Sequence, residues 1–213
     1  MHKFLANKWL KAPVFLLCLV PIGIVGWRAL RGDLTANPIE FITHTTGDWA
    51  LRFLLITLAI TPLRKVLGLP ELVRLRRMLG LFAFFYAGLH FSTYLVLDKF
   101  FDISEIWKDV LKRRFITVGF AAFLLLIPLA ITSTAGWIRR LGGKRWQALH
   151  RLIYLSAILA VIHYYWLVKS AVIRPLAYGA ILAILLLFRI VVLLTGRDSR
   201  TQAARVAPQA AAR

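Results

Sequence analysis

The sequence predicts an all-α membrane protein, a bundle of six transmembrane helices with both termini in the cytoplasm. Three observations lead there. Apolar residues fill 60% of the 213 positions and charged residues only 17%, against about 45–50% and roughly 25% in soluble domains. The apolar residues gather into six runs near the length that spans a bilayer, about 20 residues of helix, and raise the mean hydropathy to +0.71. Lys and Arg then divide unequally between the connections.

The first span is expected over Ala12 to Trp27, with Pro21 kinking it from inside. Lysines followed by an apolar stretch resemble a secretory leader. No small-residue cleavage site follows, however, and five more runs do, so this run is expected to stay as a span. The second, Trp49 to Leu63, is short and is expected to need neighbours or local thinning of the bilayer. The third runs from Met78 to Leu97, the fourth from Phe115 to Thr132 with Pro128 inside, the fifth from His150 to Val168 and the sixth from Pro175 to Leu194. Between the third and fourth, Ile103, Ile106, Trp107, Val110 and Leu111 recur at helical spacing. They predict an amphipathic helix over Asp102 to Arg114, capped by Asp102 or Ser104, lying on the membrane surface and compatible with docking a partner there. The Ala/Arg-rich segment 197–213 is expected to be a disordered cytoplasmic tail. That leaves one membrane domain, 12–196, behind a cytoplasmic N-terminal segment, 1–11, with no linker or repeat to divide it.

The net charge of +19 invites a nucleic-acid reading, but its distribution points to topology instead. The N-terminus, the second and fourth connections and the tail together carry 17 Lys and Arg, opposed only by Glu71 and Asp198. The other connections carry nine basic residues and seven of the nine acids. Basic residues stay on the cytoplasmic side, so both termini are expected there. The tryptophans agree. Trp9, Trp137 and Trp146 fall at the inner boundary and Trp27, Trp49, Trp107 and Trp166 at or beyond the outer one, as amphipathic indole rings do. Cys18, the lone cysteine, lies in an apolar run and reads as packing.

Ionisable residues inside spans are costly and mark candidate functional sites. His90 lies 12 residues beyond Met78, and His163 lies 13 beyond His150, on spans that run in the same direction. At 1.5 Å per residue both sit roughly 18–20 Å above the inner boundary. Two imidazoles at one depth on parallel helices can ligate one planar macrocycle between them, a haem. The bland alternative is that each hydrogen-bonds a neighbouring helix. Zinc fits less well, since no third ligand lies at that depth. His150, roughly 20 Å lower on the same helix, is an unpaired ligand, a quinone or flavin contact near the inner face, or an interfacial residue without chemistry. His44 and His2 read as solvated.

Several stretches in order carry a family resemblance: Asn37-Pro38-Ile39-Glu40, Thr61-Pro62-Leu63-Arg64, Arg76-Arg77-Met78-Leu79-Gly80 before His90, and Arg145 through Tyr154 before His163. From about Pro13 to Arg197 the chain resembles the MsrQ family, haem-binding membrane subunits of bacterial periplasmic methionine sulfoxide reductase systems. That family is similar in its core to the ferric reductase and NADPH oxidase transmembrane domain. The resemblance implies a b-type haem, FMN, and a soluble molybdopterin-containing catalytic partner, MsrP, in the periplasm. Electrons would come from the quinone pool or a cytosolic flavin reductase and cross the inner membrane to that partner, which reduces oxidised methionines. Larger relatives place two histidines on each of two helices. This sequence has only His90 on the third span, with Arg76 near the fourth position, so a second bis-histidine haem is not expected.

With a haem and a flavin implied, further residues become candidates. Arg52 and Arg189, within or near spans, could neutralise a propionate, a flavin or a quinone, or merely snorkel. Arg77 and Trp146 in the inner motifs are flavin or quinone candidates. Phe84, Phe85, Tyr86, Phe91 and Tyr164 could edge the haem, and core packing accounts for them equally well. No Gly-rich strand–helix turn for a nicotinamide is present, so electrons must enter from another molecule. The competing functions are a stand-alone ferric reductase and a small transporter whose histidines relay protons.

Overall fold

The computed structural model describes residues 11–168 and 171–210, the last fifteen of them as backbone only. Eight α-helices follow in order: α1 Lys11–Leu30, α2 Pro38–Leu67, α3 Val73–Thr93, α4 Ile103–Lys112, α5 Arg114–Ile131, α6 Ala135–His150, α7 Leu152–Leu167 and α8 Ile173–Ala210. Helix α3 is entered through a 3₁₀ turn, Pro70–Leu72, and continues into a π-helical segment, Tyr94–Asp98. No strand occurs among the described residues. His2 and Trp9 lie outside them.

The expected second span is the one the structure changes most. Helix α2 starts eleven residues before Trp49 because Asn37 caps it. Its side chain accepts from the Glu40 backbone N–H at 3.2 Å and donates to the Glu40 carboxylate at 3.0 Å, with Pro38 at the first helical position. The helix ends at Gly68, whose φ of 64° suits a left-handed C-terminal residue and whose N–H returns to Arg64 O. Its 30 residues make roughly 45 Å of helix, so it is long rather than short.

Five segments are long and apolar enough to cross a membrane: Lys11–Leu30, Pro70–Asp98, Arg114–Ile131, Ala135–Leu167 and Ile173–Thr195. Helix α2 is outside that group, since Asp48, Arg52, Arg64 and Lys65 interrupt its apolar run. It is nevertheless the heart of the core. Leu51, Phe53, Leu54, Leu55, Leu58 and Ile60 are all buried, most against α3, while α5 packs mainly on α7. The bundle is thus two helix pairs, α2–α3 and α5–α7, with α8 against α2 and α7 and α1 against α2 and α3. Its exterior is apolar, with Leu16 and Leu17 on α1 and Ile184, Leu187 and Leu193 on α8 exposed. That is the inverse of a soluble surface and the solvent it suits is lipid.

Other departures have local causes. The connection before the fifth span is itself helical, α6, started by Thr134, whose hydroxyl accepts from Trp137 N–H, and broken at Gly142 (φ 72°). Pro62, expected at a helix end, lies inside α2 because the helix runs on to Leu67. Asp102 rather than Ser104 caps α4, accepting from the Glu105 N–H at 3.0 Å. Just before it Phe100 and Phe101 both adopt positive φ, 47° and 61°, a conformation that costs bulky residues about 1–2 kcal/mol each. The backbone of α8 continues to Ala210, through most of the segment expected as an irregular tail.

Candidate histidine pair site

His90 on α3 and His163 on α7 meet, with ring centroids 6.0 Å apart and planes inclined at 72°. Each ring is fixed from behind. His90 Nδ1 lies 2.9 Å from the carbonyl oxygen of Thr43 on α2, and His163 Nδ1 lies 2.7 Å from that of Phe115 on α5. A carbonyl only accepts, so both protons reside on Nδ1 and both Nε2 atoms keep a lone pair. Neither Nε2 makes a hydrogen bond among the described residues. Two imidazoles that bind one metal from opposite sides, at about 2 Å each, stand with centroids about 6 Å apart. The centroid separation of the pair matches that spacing. No third His, Cys, Asp or Glu converges on it among the described residues, so the remaining ligands of such a metal must come from elsewhere, as a macrocycle supplies them.

The aromatic candidates separate. Phe91 stacks on Phe123 at 5.0 Å and Phe84 stacks on Phe123 at 5.8 Å, joining α3 to α5 beside the histidines. Phe85 and Tyr86 face the other way, toward Phe82 and Phe53. Tyr164 turns to Tyr178 on α8. The Tyr86 hydroxyl donates to Cys18 O at 2.8 Å and accepts from Ile22 N–H at 3.2 Å. Those are the two ends of one rung of α1 beside Pro21, so this side chain stitches α3 into a proline-weakened ladder.

His150 is far from the pair, at the Arg-rich end. Its ring stacks on Trp146 with centroids 3.9 Å apart, and its Nε2 lies 3.0 Å from Thr132 Oγ1. Trp146 Nε1 donates to Thr132 O at 2.9 Å. Arg189, on the same side, donates to Tyr154 OH at 2.6 Å and to Leu58 O at 2.8 Å, leaving its buried Nε unpaired. Arg52 donates to Tyr178 OH at 2.9 Å, pairs with Asp48 at 3.3 Å and covers the Trp49 ring. Both arginines within the bundle are thus engaged in joining helices. Arg77 is exposed and borders a groove of roughly 450 Å3 between α1 and α3, walled by Phe15, Phe82 and Phe85, with Lys11 and Arg74 also at its edge. His44 lies half-exposed, 3.9 Å from Glu40.

Sequence reading missed the backs of the histidines: the carbonyls of Thr43 and Phe115, and the glycines beside them, Gly47 and Gly119. A backbone carbonyl has no residue signature. An isolated glycine inside a helical span does, since it usually marks close packing.

Residues 46–161 match the family described as ferric reductase like transmembrane component. Curated relatives named protein-methionine-sulfoxide reductase heme-binding subunit MsrQ are similar over most of their length. The one from Herminiimonas arsenicoxydans is 58% identical over 183 residues, 85% of this chain and 84% of the relative. The one from Rhodospirillum rubrum is 54% identical over 84% of this chain and 86% of the relative. The one from Xanthomonas oryzae pv. oryzae is 52% identical over 93% and 92%. With a ferric-reductase-like helical core and half or more of its aligned residues identical in these relatives, the chain belongs to the MsrQ family of methionine sulfoxide reductase heme-binding subunits.

Proposed function

We propose that the chain is a transmembrane electron conduit in which His90 and His163 bind a b-type haem through Nε2. The observation that carries this reading is the pair itself, 6.0 Å between centroids with each Nδ1 already bonded to a carbonyl. A bound haem supplies an iron that takes up and returns single electrons. The chain's own residues do the rest. Thr43 and Phe115 orient the rings and raise their basicity, and the phenylalanines of α3 and α5 keep water away. The names of the curated relatives, heme-binding subunits, support the choice of metal.

The bundle is proposed to lie in the bacterial inner membrane with six spans and both termini cytoplasmic, α2 being the second span, in addition to the five apolar segments. Its Asp48 and Arg52 neutralise one another, which lowers the cost of carrying charge into the bilayer. Electrons enter at the Arg-rich cytoplasmic end, near His150 and Trp146, from the quinone pool or a cytosolic flavin reductase. They leave on the periplasmic side to MsrP, the molybdopterin-containing subunit that repairs oxidised methionines. For FMN the groove at Arg77 is the best-suited candidate, because its cations match a phosphate and its phenylalanines a flat ring. Helix α4, with Ile103, Trp107 and Leu111 exposed on one face, rests on the outer membrane surface beside the partner.

The test is an absorption spectrum of the detergent-purified protein, oxidised and dithionite-reduced, for wild type, His90→Ala, His163→Ala and His150→Ala. A b-type spectrum lost in the first two variants and kept in the third is expected. Equal loss in all three would mean that His150 also holds haem. A colourless wild type from haem-replete cells would sink the conduit and favour a proton-relaying transporter. Reduction of external ferric chelates without the partner would instead indicate a stand-alone ferric reductase.

A further inference from the structure

One device holds both histidines. On α2 the carbonyl bonded to His90 belongs to Thr43, and the residue against the ring is Gly47, four positions on. On α5 the carbonyl belongs to Phe115, and the residue against the ring is Gly119, again four positions on. In an α-helix the N–H of residue i+4 points at the carbonyl of residue i. Each imidazole edge therefore shares a carbonyl with a glycine N–H and lies where that glycine's side chain would stand. A Cβ on Gly47 would come 2.9 Å from His90 Nδ1 and 3.1 Å from its Cε1; on Gly119 it would come 2.5 Å and 2.8 Å from the same atoms of His163. Other glycines among the described residues have no such neighbour. Around Gly23, Gly26 and Gly88 nothing lies within 4 Å of the added carbon.

We infer that Gly47 and Gly119 are positioning residues for the metal centre: by lacking a side chain they let each imidazole reach a helix carbonyl, which sets the tautomer and the plane of both ligands. This rests on the haem reading above. The two helix pairs α2–α3 and α5–α7 each contribute one copy of the arrangement, and the two copies leave the ring planes 72° apart. Imidazole planes so far from parallel give a low-spin ferric centre nearly degenerate orbitals, and hence a strongly anisotropic EPR signal dominated by one large g value. The Nδ1–H bonds to carbonyl make each ring a stronger donor, which favours the ferric state and keeps the potential low.

Ordinary contact begins at about 3.4 Å, so an alanine would push the ring roughly 0.5 Å at Gly47 and roughly 0.9 Å at Gly119. The experiment compares the purified full-length wild type with Gly47→Ala, Gly119→Ala and the control Gly88→Ala, which lies two residues from His90 in open space. It reads the low-temperature EPR spectrum and the midpoint potential from an optical redox titration. The wild type should show the large-g signal. Gly47→Ala should shift it and raise the potential, Gly119→Ala should do both more strongly, and Gly88→Ala should match the wild type. If Gly119→Ala retains no haem, Gly47→Ala, with the smaller displacement, decides. Wild-type spectra and potentials in both substituted proteins would overturn the inference, as would an equal shift in Gly88→Ala. A wild type without haem would overturn the reading beneath it, and that failure is visible before any variant is compared.

Discussion

Arg189 offers a perturbation whose size follows from one missing proton. Pro62 has no N–H, so Leu58 O, four residues back in α2, lacks its usual helical donor. Leu58 is fully buried, and Arg189 from α8 donates to that carbonyl at 2.8 Å while its other Nη holds Tyr154 OH at 2.6 Å. Replacing Arg189 by Met keeps the apolar stem but leaves both acceptors unpaired. Hydrogen bonds from charged donors are worth about 1.5–3 kcal/mol each, yet interhelical bonds in membranes average about 0.6 and reach about 1.7 kcal/mol. Removing a guanidinium whose Nε is buried and unpaired returns part of that loss, so Arg189→Met is expected to cost about 1–3 kcal/mol. The informative comparison is the same substitution made in Pro62→Ala, where the alanine supplies the absent N–H. There the cost should fall by roughly 1 kcal/mol. Reversible denaturant unfolding in detergent micelles, followed by helical circular dichroism, measures all four corners of the cycle. Additivity within about 0.5 kcal/mol would refute the claim that Arg189 serves the carbonyl orphaned by Pro62.

Two further outcomes follow from single groups. Tyr86→Phe removes the hydroxyl that bridges Cys18 O and Ile22 N–H, and the same unfolding assay should register a loss of about 1–2 kcal/mol with the haem spectrum intact; an unchanged midpoint would show that α1 closes its own rung. On α4 Asp109 meets Lys99 at 2.9 Å and Arg113 at 3.2 Å. Burial pushes its carboxyl up, but the Lys99 hydrogen bond and the charges of Arg113 and Lys99 outweigh that and hold it below the usual range. The same hydrogen bond, donated by Lys99 to the Asp109 carboxylate, holds Lys99 above its own usual value against burial. The carboxylate's contribution is therefore complete above the ordinary Asp value of about 3.9 and is lost as pH falls through the depressed one. Protection of the α4 amides, taken relative to the intrinsic exchange rate at each pH, should fall in wild type on acidification below about pH 4 and stay level there in Asp109→Asn; parallel curves would discard the ion cluster as the cause.

How much of this was legible beforehand depends on which interactions a linear pattern records. The apolar runs that face lipid were plain in the sequence, because the bilayer asks only for length and hydrophobicity. The same signal undersold α2, whose cap at Asn37 lies at an exposed end of the helix and whose charged middle is satisfied by the Asp48–Arg52 pair and the Tyr178 hydroxyl. The histidines also stood out, since an ionisable side chain in an apolar run is costly, and equal depth suggested that His90 and His163 could meet. Depth says nothing of azimuth, though. Only the packing of α2 on α3 and α5 on α7 turns both rings toward each other and puts the Thr43 and Phe115 carbonyls behind them. Arg52 and Arg189 show the same limit. Their charge made them conspicuous, but Tyr178, Asp48, Tyr154 and Leu58 O lie on other helices or at other turns. Sequence by itself determined which residues are costly to bury; the tertiary structure decided their partners, because backbone carbonyls and the space left by a glycine acquire meaning only when another helix arrives beside them.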